Sequence, residues 1–394
     1  MGMNQTTRNR DVITYRFGKH LTEGLYFVSS LSIVMTSMMA VSPFVASSWA
    51  VETVTFRSGK DDLVNGKPEP TRTVVGEALV EAIDGGLLLQ SDDGRIWTIQ
   101  PDQIISRETD DRPLVPITAD AMHERMLEEL PAGFAVYRTA NYLIVHNTSE
   151  AYARQVGTLF EQLHRGFFAF WNNQRWDLPE PRFPLVALVL SDRNEFLKHA
   201  GAEVGSTANL VIGYYHLSSN RMTTFNVPDL ERNVATIIHE ATHQLAYNCG
   251  VQQRFADNPK WVSEGLAMFF ESPDFRSASM WRSIGRINQK NLARWREYLP
   301  RRPADSLATL ICDDKRLSSE ATAEAAYGES WALTYFLLKT RREEYVAYLK
   351  KLSEGKPLAE LSGRERIKMF EESFETTLPK LDKAFVMYMQ RVRG

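Results

Sequence analysis

The chain has 394 residues, of which 43% are hydrophobic and 24% are charged, and its formal net charge is −3. These proportions are typical of a globular protein and exclude a disordered chain or a collagen-like repeat. The net charge argues against a nucleic-acid-binding protein, which needs a basic surface to displace the counterions of phosphate. The 2 Cys are too few for a cysteine-rich zinc cluster.

The first 50 residues have the pattern of a targeting segment. A basic leader precedes a mostly apolar stretch from Leu25 to Val41, and residues 48–50 provide small residues around one large residue. This pattern predicts a signal peptide that is cleaved after Ala50. The alternative is an uncleaved anchor that tethers the protein to a membrane, since the stretch approaches the length of a span. In either case we expect a secreted, periplasmic or cell-surface protein.

Residues 51–108 form a unit of short alternating runs. VGEALVEAI, GLLLQS and RIWTIQ are separated by the turn signals Asp84-Gly85-Gly86 and Asp92-Asp93-Gly94. The pattern predicts a small, barrel-like antiparallel β module. A Pro-bearing linker over 109–118 follows it.

From residue 119 the pattern is α+β, with a sheet followed by helices. AMHERMLEEL predicts a helix, residues around Tyr137–Val145 predict one strand, and Ser149 to Trp171 predict a long amphipathic helix. Further strands are expected at the apolar run Phe183–Leu190, at Asn209–His216 and at Met222–Phe225. We therefore expect a sheet-containing part over 119–275 and a helical part over 276–394.

The segment from Asp229 to Gly250 carries the pattern most specific for chemistry. It reads as one amphipathic helix, and within it lies His239-Glu240-Ala241-Thr242-His243. Residues four apart share a helical face, so both imidazoles can bind one Zn²⁺, with Glu240 directed toward its water. The alternative is a pair of His residues that only pack or cap a core helix.

A catalytic zinc ion needs a third protein ligand, and Glu264 is the candidate. It lies 21 residues after His243, near the start of a second predicted helix that opens at Asn258-Pro259. Glu271, seven residues further on the same face, is placed to accept the outer N–H of a ligand His. The alternative for Glu264 is a solvated carboxylate that favours the first helical turn.

Cys249 and Cys312 allow two interpretations. They can pair in an oxidising compartment, or they can remain unpaired and buried as small apolar residues.

Longer stretches of the sequence resemble a known family. HEATHQ followed by WVSEGLAMFFE resembles the gluzincins, the zinc peptidases that include thermolysin and the aminopeptidase N group. RRPADSLATLI and AAYGESWALTYFLLKT are similar to the C-terminal pattern of DUF1570, a bacterial, planctomycete-type family among the peptidase MA-like domains. The resemblance covers about 130–390 and leaves residues 51–108 outside.

The resemblance implies a thermolysin-like zincin domain with a mixed sheet, an active-site helix and a helical C-terminal half. It also implies a zinc-dependent metallopeptidase acting on a peptide or protein substrate, with Glu240 as general base and acid. Tyr327, 63 residues after Glu264, matches the Tyr that stabilises the oxyanion in aminopeptidase-type members. A partly buried Tyr at a helix start is the other interpretation of this residue.

One departure from the aminopeptidase pattern affects the expected substrate. No G-x-M-E-N motif precedes the predicted zinc helix, so exopeptidase activity is not supported. Instead Gly213–His216 precedes it, on a possible edge strand for an extended peptide, which favours an endopeptidase. A surface strand residue is the alternative for His216.

A second functional class remains open from the sequence. A zinc-bearing binding or scaffold protein at the cell surface would use its β module to dock to a partner. The Glu between the two His argues against it, because a purely structural zinc site needs no base.

Overall fold

The computed structural model describes residues 50–57, 63–64, 67–68, 71–227, 230–271 and 284–393. The predicted targeting segment up to residue 49, the predicted helix start at Asp229 and the boundary at 275–276 lie outside these ranges. Among the helices of these ranges, none combines the length with the hydropathy that a membrane span requires. The strands β1 to β12 are, in chain order, Val51–Arg57, Leu63–Val64, Lys67–Pro68, Thr71–Glu81, Leu87–Ser91, Ile96–Ile99, Ile104–Asp110, Ala135–Arg138, Tyr142–His146, Leu185–Leu190, Gly213–His216 and Arg221–Phe225.

The N-terminal sheet is antiparallel throughout and has the strand order β6-β5-β4-β1-β7. Alternation along β1 turns Val54 and Phe56 into a small core that also contains Leu87 and Leu89. The turn between β5 and β6 needs Gly94, whose φ is +79°. The predicted N-terminal antiparallel sheet is confirmed.

The second sheet is mixed and has the order β11-β12-β10-β9-β8. Its central strand β10 is parallel to both β9 and β12, whereas the outer strands β8 and β11 are antiparallel to their neighbours. Every residue of β10 is buried. A strand covered on both faces has no polar side, which explains the continuous apolar run in the sequence.

Two strand predictions were partly wrong. The single strand expected around Tyr137–Val145 is a hairpin, because the chain reverses at Thr139–Asn141. Glu161, on a neighbouring helix, stabilises this reversal by accepting hydrogen bonds from Thr139 Oγ1 and Asn141 N, each at 2.7 Å. The strand expected at Asn209–His216 begins only at Gly213, since Gly205–Asn209 forms a 3-10 turn.

Helices cover both faces of the mixed sheet and make up the C-terminal half. In chain order α1 to α12 are Ala119–Glu129, Glu150–Asn173, Arg193–Val204, Leu230–Asn248, Lys260–Phe270, Gln289–Tyr298, Ser306–Cys312, Lys315–Ser318, Glu320–Thr340, Arg342–Ser353, Gly363–Ser373 and Leu378–Met389. The mixed α/β class with a helical C-terminal half is confirmed.

Alternation along β10 divides its side chains between two cores. Ala187 and Val189 pack in the larger core with α2 and α4, and Val186 and Leu188 pack in a smaller core with α1 and α3. The larger core continues into the C-terminal helices, so α4 lies between the sheet and the helical half.

The two cysteines are both free thiols, with Cys249 buried and Cys312 partly buried. The structure thus favours the unpaired interpretation over a disulfide.

Candidate metal centre

Helix α4 presents His239 and His243 on one face, as the four-residue spacing predicted. Their Nε2 atoms are 3.2 Å apart, and both side chains are buried. Two imidazole nitrogens at this distance can share one proton, or they can both bind one cation.

Glu264 comes to the same point from α5. Its Oε2 lies 3.2 Å from His239 Nε2, and its Oε1 lies 3.8 Å from His243 Nε2. The loop before α5 is fixed at both ends, since Lys260 N donates to Asp314 Oδ1 and Gln252 Nε2 donates to Ser263 Oγ. The structure therefore brings the three predicted ligands together, with one donor atom of each within 4.8 Å of the others.

This donor set fits a tetrahedral zinc ion. Two ligand atoms at 2.0–2.1 Å from a tetrahedral ion are about 3.3 Å apart, close to the separations of 3.2 Å seen at His239 Nε2. Glu264 Oε2 is buried and makes no hydrogen bond to any described residue. A buried carboxylate oxygen in that state is costly unless a cation or a proton satisfies it.

Charge at the site is distributed unequally between the two histidines. Burial alone would lower the pKa of His239, but the carboxylates of Glu264 and Glu271 beside its ring outweigh burial and raise the pKa well above its ordinary value. Burial, together with the charge of His239, holds the pKa of His243 well below its ordinary value. Neutral imidazole is the form that binds a metal, so His243 is already in that form.

Glu271 contacts the outer ring nitrogen of His239, as predicted from its position seven residues after Glu264. Its Oε1 is 2.6 Å from His239 Nδ1, and its Oε2 accepts a hydrogen bond from Asn288 Nδ2 at 3.0 Å. Asn288 also caps α6 by accepting from Asn291 N. Asn288 was not predicted as a site residue, because an Asn before a helix indicates a helix cap and not a contact with Glu271.

Glu240 is buried on the sheet side of α4. Its Oε2 accepts a hydrogen bond from the backbone N–H of Tyr215, on the edge strand β11, at 2.9 Å. Burial raises the pKa of Glu240 to about 8; the charge of His239 acts in the opposite direction. The contact with Tyr215 also was not foreseen, although Gly213–His216 was predicted as a possible edge strand.

Tyr327 lies on α9, which packs against α5, and its side chain is almost fully buried. Burial raises the pKa of its phenol well above the ordinary value, and the negative charges of Glu264 and Glu240 add to this effect. The phenol therefore stays protonated within the field of the two site carboxylates. His216 lies apart from the ligands, with Nδ1 at 3.0 Å from Ser219 Oγ and 3.7 Å from Glu203.

Residues 233–359 match the profile of a family described as "Protein of unknown function (DUF1570)". The match supports the DUF1570 assignment. The DUF1570 segment contains the three candidate ligands and also Glu240, Glu271 and Tyr327, whereas β11 and the N-terminal sheet precede it. No curated protein matches the chain.

Proposed function

We propose that this protein is a zinc-dependent metallopeptidase of the gluzincin type, with a thermolysin-like zincin domain, and that it cleaves internal bonds of peptide or protein substrates. The observation that carries the proposal is the convergence of His239, His243 and Glu264 within 4.8 Å, next to the buried carboxylate of Glu240. A structural zinc site has four protein ligands, whereas three ligands and an adjacent base favour catalysis.

His239, His243 and Glu264 would hold the zinc ion, which when bound supplies a more acidic water and polarises the substrate carbonyl. Glu240 takes a proton from the attacking water on a carboxylate oxygen. It returns that proton to the leaving nitrogen as the C–N bond breaks. Tyr327 donates a hydrogen bond to the carbonyl oxygen while negative charge develops there.

The position of the edge strand β11 is an argument for an extended peptide substrate. Only β12 pairs with it among the described strands, and the contact between Tyr215 N and Glu240 Oε2 shows that β11 runs past the base. A peptide aligned along the part of this edge that Glu240 leaves free would bring one of its internal bonds to Glu240. This arrangement favours endopeptidase over exopeptidase action.

The proposal is tested with a peptide-library digest of the wild-type protein and of Glu240→Gln, each with and without a chelator. We expect the wild type to cleave, and we expect the chelator or Glu240→Gln to abolish cleavage. Zinc binding by Glu240→Gln should stay close to wild type, since Glu240 is not among the ligands. Glu297→Gln, an exposed carboxylate on α6, is the matched control and should cleave normally.

Two outcomes would contradict the assignment. Cleavage by Glu240→Gln at the wild-type rate would remove the residue from the role of base. Zinc binding at one equivalent without any cleavage would favour the alternative, a zinc-bearing scaffold protein.

We also propose, from the N-terminal sequence pattern alone, that the protein is exported. Mass spectrometry of the protein isolated from its natural host should give Val51 as the first residue if the leader is cleaved. An intact N-terminus in the membrane fraction would support the anchor instead, and an intact N-terminus in the cytosol would contradict export.

A further inference from the structure

Helix α4 carries a second row of polar side chains beside the two histidines. Glu240, Gln244 and Asn248 are spaced four residues apart and therefore share one face. Gln244 Nε2 donates to the backbone oxygens of Val186, at 3.0 Å, and Asn220, at 3.1 Å. This row thus faces the mixed sheet and the turn between β11 and β12, whereas the histidines face α5.

The turn after β11 is fixed to α4 by a closed set of hydrogen bonds. Asn220, held at a φ of +61°, accepts from Tyr215 Oη at 2.6 Å and from Asn248 Nδ2 at 2.8 Å. In return its own Nδ2 donates to Asn248 Oδ1 at 2.9 Å. The ring of Tyr215 also stacks on Tyr247, with 5.6 Å between centroids. Tyr215 and the turn after β11 therefore cannot shift along α4 without breaking several of these contacts.

The N-terminal sheet holds the same turn from its other side. Ile96 N donates to Ser218 O at 2.7 Å, and Arg254 Nη1 donates to both Gly94 O and Leu217 O, at 2.7 and 3.1 Å. Gly94 sits so close that a Cβ there would lie 3.1 Å from Asn220 Nδ2. The β module is therefore part of the support of β11.

We propose that Tyr215, Asn220 and Asn248 are positioning residues that fix the carboxylate of Glu240 for proton transfer. The proposal rests on the function proposed above. The Tyr215 N–H holds Oε2 of Glu240 and so restricts the positions that the carboxylate can take. Loosening the support of a base lowers kcat. Substitutions that remove only side-chain contacts keep the backbone groups of β11 that would bind the substrate, so KM should change less than kcat.

The kinetic test uses Asn248→Ala and Tyr215→Phe, which keeps the backbone N–H but removes the hydroxyl. We expect kcat to fall about ten- to a hundredfold in each variant, with KM within about twofold of wild type. Zinc affinity should not change, because the ligand face of α4 is untouched. The double variant should be no slower than the slower single variant, since both act through Asn220.

The chain offers a matched control on the same helix. Asn233 is buried on α4 and donates to Tyr152 Oη, so Asn233→Ala removes an equivalent Asn–Tyr pair away from Glu240. We expect Asn233→Ala to lower stability but to leave kcat unchanged. An equal fall of kcat in Asn233→Ala and Asn248→Ala would overturn the proposal in favour of a general loss of structure.

A second measurement does not depend on peptidase activity. In protein labelled with ¹⁵N-tyrosine, the amide signal of Tyr215 is the one that disappears in Tyr215→Phe. Its proton should be shifted downfield by the carboxylate, and the shift should decrease in Glu240→Ala and in Asn248→Ala but not in Asn233→Ala. A signal unmoved in Asn248→Ala would overturn the proposal.

The two measurements separate this inference from the proposed function. If the wild type cleaves peptides and Asn248→Ala has the same kcat, the positioning role is overturned and the peptidase assignment stands. If the wild type is inactive but the Tyr215 amide shift changes as expected in the variants, the peptidase assignment is overturned. The contact between β11 and the Glu240 carboxylate then still stands.

Discussion

Glu271 joins the candidate metal centre to the C-terminal helices. One of its oxygens holds His239 Nδ1, and the other accepts from Asn288, which caps α6. An outer carboxylate of this kind fixes the ring orientation of a ligand His and increases its basicity. The orientation of His239 is thus determined by residues on two different helices.

This arrangement predicts a graded loss of zinc affinity. Glu271→Ala should weaken zinc binding by about 10–100-fold, because His239 loses its partner. Asn288→Ala should weaken it less, since Glu271 remains and loses only one donor. Competition with a chromophoric chelator measures both. Asn209→Ala, at an exposed site, is the control and should bind zinc as the wild type does. A larger loss of zinc affinity in Asn288→Ala than in Glu271→Ala would contradict the prediction.

Sequence predicted those site residues whose relation is set by helical period. His239 and His243 share a face because they are four residues apart, and Glu271 follows Glu264 by two turns. Asn288 could not be predicted in the same way. It reaches the site because α6 packs where it does, and that packing depends on contacts far along the chain.

At the scale of elements, the position of Glu264 depends on how closely α5 approaches α9. Gly265 makes the approach possible, since a Cβ there would lie 2.1 Å from Thr334 Oγ1 and 2.8 Å from Ser330 O. The backbone oxygen of Ser330 cannot move aside as a flexible side chain can. The spacing of the two helices, and with it the site between them, therefore requires glycine at this residue.

Gly265→Ala should separate α5 from α9. We expect the free energy of unfolding to fall by about 1–3 kcal/mol from overpacking, and zinc affinity to fall with it because Glu264 is the preceding residue. Gly201→Ala is the control, because Gly201 lies within α3 and a Cβ there meets nothing within 4 Å. Denaturant unfolding and zinc titration measure the two effects; equal stability of both variants would refute the packing argument.

Strands were predicted correctly where a local sequence pattern determines them. They were predicted wrongly where a residue far along the chain determines the backbone conformation. The apolar run of β10 identified a buried strand because burial on both faces leaves no other composition. The reversal at Thr139–Asn141 was missed because Glu161, about 20 residues away, supplies its hydrogen-bond acceptor. The turn contains no glycine or proline, the residues that most often indicate a turn in a sequence.

On the scale of the whole molecule, one acidic turn of the N-terminal sheet contacts α1. Asp92 accepts two hydrogen bonds from Arg125, at 2.7 and 3.0 Å. Asp93 is buried and accepts from Ser91 Oγ at 2.6 Å and from Arg95 N at 3.0 Å. Burial would raise the pKa of Asp93, but Arg95 and these hydrogen bonds outweigh burial and hold the pKa below its ordinary value.

This lowered pKa predicts acid-sensitive stability. The contribution of Asp93 is complete above its ordinary pKa and disappears as the pH falls through the lower folded pKa. Asp93→Asn should therefore lower the free energy of unfolding by about 1–3 kcal/mol at neutral pH, and the difference from wild type should shrink below about pH 4.

Denaturant unfolding at several pH values measures the effect. Asp84→Asn is the matched control, since Asp84 occupies the equivalent turn before β5 but is exposed to solvent. A difference between Asp93→Asn and wild type that does not change with pH would contradict the assignment of charge to Asp93.

The hydrogen bond from Tyr215 to Glu240 also has a consequence for self-association. An open sheet edge offers unpaired amides that can recruit a strand from another molecule, so natural proteins shorten or block such edges. The edge strand β11 spans only Gly213–His216, and the Tyr215 amide is already occupied by a carboxylate. A buried acid of the candidate site thus leaves less of the β11 edge open to a strand from another molecule.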